Sequence, residues 1–247
     1  MIRLLLLSML FSLISGCRPR ELAAPQQSPS AEVPGAEIPA VVAPATHFSV
    51  PRPPKLSRAE PVLWVGLEDH LGSHPAAMPL RLSSAGAPLT LEDVAGRSWK
   101  AASFTVRWES VALPNPLTLA RRIAGPFGSF ESAERLAQRW RALGVTASVA
   151  HPNEWEVWAP QGSIAPEGTP VRDWTRRVHA TVEPTLETPE GLQPIKGPLQ
   201  ITAPDGLRWN RGVFRGPFRL QRDAYGSWTL IEQVAVERYL EGVVPHE

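Results

Sequence analysis

Trp228-Thr-Leu-Ile-Glu-Gln-Val-Ala-Val-Glu-Arg-Tyr-Leu-Glu-Gly-Val-Val-Pro-His-Glu247 is the stretch from which the fold is read. Residues 228–234 alternate apolar and polar positions and include Trp, Thr, Ile and Val, the pattern of a strand. The period then changes. Val236, Tyr239, Leu240 and Val243 fall at i, i+3, i+4 and i+7, one face of a short C-terminal helix expected over 235–241 and ended by Gly242. Pro245 disfavours helical geometry at Val244, so the chain leaves extended. A strand feeding a short helix, preceded mostly by strand and turn patterns, predicts a β-rich α+β fold.

Composition narrows the classes. The 247 residues carry 25 Lys+Arg against 24 Asp+Glu, a formal net charge of +1. Near-neutrality supplies no long-range field to gather nucleic acid, so no nucleic-acid partner is expected. The 27 Pro amount to about twice the usual share of roughly 5%, and they concentrate early. A single Cys excludes an internal disulfide.

Residues 1–17 read as a targeting segment. Arg3 is a minimal positive region and Leu4 to Ile14 an apolar run, too short for the roughly 20 residues that span a bilayer. It ends in Leu13-Ile14-Ser15-Gly16-Cys17, small residues before a Cys, which resembles a bacterial lipobox. That resemblance implies lipidation at Cys17, a membrane anchor and a place in the cell envelope; the plainer reading is a secretory signal with a chance Cys. Residues 18–60 are rich in Pro, Ala, Ser and Gln with Phe48 as their aromatic. Such chain cannot bury enough surface to offset its entropy, so a disordered linker is expected there, extended at about 3 Å per residue.

Residues 61–116 begin the globular body. Val62 to Leu67, Pro79 to Ser83 and Phe104 to Trp108 are strand candidates, with Ser84-Ala85-Gly86 as a turn. Residues 117–168 form a βαββ pattern: a strand at Leu117 to Ala120, a turn at Gly125 to Ser129 and an amphipathic helix over 131–143. Ala133, Leu136, Ala137, Trp140 and Leu143 mark its inner face, Ser129 is its N-cap and Gly144 its stop. A hairpin of Val145 to Ala150 and Trp155 to Ala159 turns at Pro152-Asn153. The Gly-Pro-Phe turn and the rhythm of this helix resemble part of a SPOR domain, which implies either glycan binding or a structural insert.

Residues 169–247 read as strand and turn until the final helix. Ala203-Pro204-Asp205-Gly206 is a turn because Pro presets φ and Gly tolerates the left-handed region. It links Leu199-Gln-Ile-Thr202 to Leu207-Arg-Trp209. Val213 to Gln221 alternates, with Phe214, Phe218 and Leu220 on one face and Arg215, Arg219 and Gln221 on the other. Pro217 marks an edge or a bulge. Arg208, Arg211, Arg215, Arg219 and Arg222, interleaved with Trp209, Phe214 and Phe218, suit an anionic or sugar polymer, or simply a wet strand face. Trp155 and Trp158 suit stacking on sugar rings, or core packing.

The closing segment, Val236-Glu-Arg-Tyr-Leu-Glu-Gly-Val-Val-Pro-His-Glu247, resembles the signature that opens the catalytic segment of the SpoIID/LytB family of cell-wall proteins. Val62 to Leu67 is similar to that family's first strand, and Phe214-Arg215-Gly216 stands where it carries Tyr-Arg-Gly. The resemblance implies the N-terminal part of a sporulation-related peptidoglycan lytic transglycosylase, the chain ending at its catalytic residue and expected to be inactive alone. Glu247 is then the single acid. Arg215, Arg219, Trp155 and Trp158 are the candidate substrate-binding residues. The expected partners are glycan strands and the membrane, with an amidase if the role is that of a non-catalytic enhancer. No cofactor is expected, and no metal ligand is assigned: Gly72 and Pro75 spoil the helix that His70 and His74 would need to share an ion. Dinucleotide, phosphate-loop and metalloprotease motifs are absent from the sequence.

Overall fold

The first strand of the body, β1 (Val62–Leu71), pairs antiparallel with β14 (Trp228–Ala235), so the two ends of the globular sequence meet side by side. In this computed structural model residues 44–56 and 61–243 are described. Cys17, residues 18–43 of the expected linker and Glu247 lie outside them.

Two antiparallel sheets make up a β-rich α+β fold. One runs β1, β14, β13 (Phe218–Arg222), β10 (Leu199–Thr202), β3 (Leu89–Glu92) and β4 (Ser98–Ala101). The other runs β12 (Gly212–Phe214), β11 (Leu207–Trp209), β2 (Leu80–Ser84), β5 (Ser103–Phe127), β7 (Trp155–Pro160) and β6 (Ser148–Ala150). Strand β8 (Arg172–Thr188) lies along β5, and β9 (Gly191–Pro194) folds back on β8. The main core fills the space between the sheets with fully buried Leu82, Leu89, Leu91, Leu199, Ile201, Leu207, Phe218, Leu220 and Leu230.

Strand β5 is 25 residues long and joins what the sequence divides. Its start pairs with β2, its end with β7, and β8 follows it from Val106 to Ile123 across a register shift after Ala112. The boundary expected at residue 117 therefore falls inside one strand, and the βαββ pattern is an outgrowth between β5 and β8. The turn expected at Gly125 starts later, because strand pairing continues to Phe127 opposite Trp155. Helix α1 (Phe130–Ala142) is capped as the sequence indicates, with the Ser132 N–H donating to Ser129 Oγ at 3.3 Å. It buries Ala133, Leu136, Ala137 and Trp140 against Ala124, Val157 and Ala159; Leu143, expected on the same face, is the C-cap and stands exposed, because the helical turn has already ended there.

Two further expectations change. Val213 to Gln221 is not one strand: Gly212–Phe214 and Phe218–Arg222 belong to different sheets, and the chain crosses between them at Arg215-Gly216-Pro217. The Pro204-Asp205-Gly206 turn likewise carries the chain from one sheet to the other, with Gly206 at φ +96°. Residues 44–56 also depart from the expected disorder. Ala45 pairs with the edge of β5, donating to Thr118 O and accepting from Ala120 N. Phe48 is buried on Leu119 and Val178. Its ring lies where a Cβ on Gly226 would stand, 2.5 Å away, so that turn has to be glycine. The composition of the segment is that of a linker, but a single aromatic side chain with a preformed seat holds it down.

Candidate functional site

The chain runs from β14 straight into helix α2 (Val236–Val243), which continues through Gly242 instead of ending there as the sequence suggests. The Val236 N–H donates to Pro61 O at 3.0 Å, and Gln233 N–H to Pro217 O at 2.8 Å, so the junction is held from both sides. Glu232, only 8% exposed, ties it together. Its Oε1 accepts from the Arg215 backbone N–H at 3.2 Å and from Arg238 Nη2 at 3.0 Å, in the first turn of α2. Burial pushes the Glu232 carboxyl above its ordinary range, and Arg238 with the Arg215 and Gly216 N–H groups only partly offsets it. Glu232 has no role in the sequence reading. Its signal was there: a carboxylate in register with buried Trp228, Leu230 and Val234 on one strand face. On α2, Val236 and Tyr239 are half-buried, whereas Glu237, Leu240 and Glu241 are exposed.

A second feature is an open recess of about 410 Å³ at the tip of the outgrowth, lined by Pro126, Phe127, Gly128, His151, Asn153, Glu154 and Trp155. Trp155 is half-buried, its ring 4.3 Å from that of His151 and edge-on to Phe130 at 5.4 Å. An aromatic wall beside an exposed amide and carboxylate can pack on a sugar ring and hydrogen-bond its hydroxyls. A smaller recess of about 150 Å³ lies between β1 and the β11–β12 hairpin, lined by Gly66, Leu67, Trp209 and Phe214 among others.

Trp158 stands elsewhere. It is 1% exposed, its Nε1 donating to Glu156 Oε2 at 2.7 Å, and the Arg121 guanidinium lies 3.5 Å from its ring centre. Stacking of Trp158 on a sugar is therefore corrected to core packing. Trp174 closes the other side of Arg121 at 3.9 Å. Desolvation lowers the Arg121 pKa to about 10. Neighbouring Tyr225, its hydroxyl accepting from the His151 N–H at 2.7 Å, is pushed up to about 12 by burial.

The arginine row is split. Arg215 is exposed beside the junction, and Arg219 is half-buried, donating to Gln221 Oε1 at 2.7 Å above the Trp64 ring. Burial lowers the Arg219 pKa. Arg208 donates to the carbonyls of Ser84 and Ala85, and Arg222 pairs with Glu183. Arg211 and Arg215 are exposed. Gln221, expected on a wet face, is buried because Pro51 covers it, its Nε2 donating to the Pro51 carbonyl. Among the described residues no cluster of three His, Cys, Asp or Glu is gathered around a common point. No protein-family profile, curated protein or solved structure matches this chain.

Proposed function

We propose that the protein acts on bacterial peptidoglycan as a lytic transglycosylase of SpoIID type, held at the envelope by a lipid on Cys17. The reading is supported by one observation: residues 236–243 of the segment that resembles the catalytic signature form a helix continuing from a strand, at a junction braced by β1 and by Glu232 with Arg238. Glu247 is the single acid. Its carboxyl proton passes to the glycosidic oxygen as the bond to C1 breaks; its carboxylate then accepts the proton of the sugar's own 6-hydroxyl as that oxygen bonds to C1. The product is a 1,6-anhydro end, and no water is consumed. General acid–base assistance of this kind contributes about 10²–10⁴-fold.

The recess around Trp155 supports a second reading, a non-catalytic wall-binding protein that enhances an amidase. One experiment separates the two. The protein expressed from its own gene, and its Glu247→Gln variant, are incubated with purified glycan strands; anhydro ends are counted by mass spectrometry and binding by co-sedimentation. We expect the variant to lose the anhydro product and keep the binding. Undiminished product from the variant refutes the role of Glu247. Binding with no anhydro product from either protein selects the enhancer reading.

A further inference from the structure

We propose that Arg121 is the receptor of an oxyanion, a carboxylate or phosphate group, in a seat that residues 44–51 close from outside. The guanidinium lies between the rings of Trp158 and Trp174, and Arg121 as a residue is 9% exposed. A guanidinium has five N–H donors, and one so deeply buried ordinarily meets a carboxylate or several carbonyls. Here its one acceptor among the described residues is the Thr46 carbonyl, 3.3 Å from Nη1, and Nε is buried with no partner.

Glu156 is a nearby carboxylate, and its oxygens accept from Trp158 Nε1 (Oε2) and Arg172 Nη2 (Oε1), each at 2.7 Å, and not from Arg121. Arg172 and Arg176 both bear electrostatically on Arg121 and oppose the attraction of Glu156. The Tyr225 hydroxyl accepts from the His151 backbone N–H and not from Arg121.

The cover over this seat is lightly attached. Two backbone hydrogen bonds at Ala45, one from Phe48 N–H to Ala224 O, the Gln221–Pro51 contact and the Phe48 ring hold it. A short edge segment with so few contacts opens well below the free energy of global unfolding. The Thr46 carbonyl occupies the place of a ligand oxygen, so segment and anion compete for Arg121, and binding of the anion releases residues 44–51.

Isothermal titration calorimetry on the whole chain tests this, with inorganic phosphate and glucuronate as separate probes. We expect at least one probe to bind, and the responding probe tells a phosphate source from a carboxylated sugar. Arg121→Met, which keeps the side-chain length between the two rings, should weaken that binding by at least about tenfold. Phe48→Ala should strengthen it by about fivefold, because the competing segment is then more often away. Hydrogen exchange provides an arm independent of any variant: the Ala45 and Phe48 amides should lose protection at saturating probe. Absence of binding to Phe48→Ala by both probes, affinity unchanged in a folded Arg121→Met, or unaltered protection of the two amides at saturation would each overturn the proposal.

Discussion

The two faces of the sheet formed by the far half of β5, β7 and β8 are built on different physics. One face is dry. Helix α1 lies over it, and Ala124, Val157 and Ala159 meet Ala133, Ala137 and Trp140, while the Arg122–Asp173 ion pair on the same face is partly exposed. The other carries Arg121 between two Trp rings, the Glu156–Arg172 pair and Tyr225, and is covered by residues 44–56 and the 223–227 turn. A helix with an apolar face can cover only an apolar surface, since it has no spare donors or acceptors on that side. An irregular segment can cover a polar one, because its carbonyls are free to meet buried donors, as Thr46 does for Arg121. The dry face therefore fixes the outgrowth in place, and the polar face is the one that can be opened.

The largest expected effect is on the dry face. Trp140 is fully buried and its Nε1 donates to Ile164 O at 2.7 Å. Trp140→Ala should cost about 3–5 kcal/mol in equilibrium unfolding by denaturant. A loss under about 1 kcal/mol would mean that α1 does not anchor the outgrowth.

On the polar face the penalty is capped. Phe48→Ala removes a buried ring, but the segment can undock instead of leaving a cavity, so we expect a loss of about 2–3 kcal/mol. Exchange should accelerate at the Ala45 and Phe48 amides and stay unchanged in β7. Equal acceleration in β7 would break the distinction between the two faces.

A third prediction carries the comparison to the buried carboxylate in the other sheet. Glu232 is raised above its ordinary value of 4.5, chiefly by desolvation. Its folded form thus binds more protons than the unfolded chain in the window just above that value. Its contribution is fully present below the unfolded pKa and is lost as pH rises through the folded one. Glu232→Gln should flatten the thermal-stability profile in this window, by about 1 kcal/mol at most. An unchanged slope would show that Arg238 and the two backbone N–H groups compensate burial completely.

The smallest effect is expected at Arg121. Replacing an incompletely partnered buried cation by an apolar side chain of similar length is often neutral or stabilising. Arg121→Met should change unfolding free energy by less than about 1 kcal/mol in the absence of ligand. A loss several times larger would mean that the stack on Trp158 and Trp174 is a structural keystone and not a poised seat.

Much of the molecule was legible before folding is considered. Helix α1, its Ser129 cap and its buried face follow from 3.6-residue periodicity and local capping chemistry, both properties of adjacent residues. The strand-to-helix switch at Ala235 follows in the same way, whereas the lengths of β5 and β8 and the break between β12 and β13 do not. The candidate site was less legible. Trp155 and Trp158 stand three apart on one strand pattern, yet one borders an open recess and the other is sealed under Arg121. Alternation puts the two on opposite faces of the strand, but both faces of β7 are covered, so it does not tell which ring is sealed.

What the sequence alone determined is therefore helix α1 with its amphipathic face, part of the strand list and the resemblance carried by residues 236–247. Tertiary structure decided which strands share a sheet, that β5 binds two expected domains into one, and that a Pro-rich segment is pinned by Phe48. It also decided that Arg121 and Glu232 are buried. The physical reason is range: periodicity and capping act over four or five residues, whereas burial and charge balance depend on segments brought together from far along the chain. Thr46 reaches Arg121 across 75 residues, and Pro51 reaches Gln221 across 170.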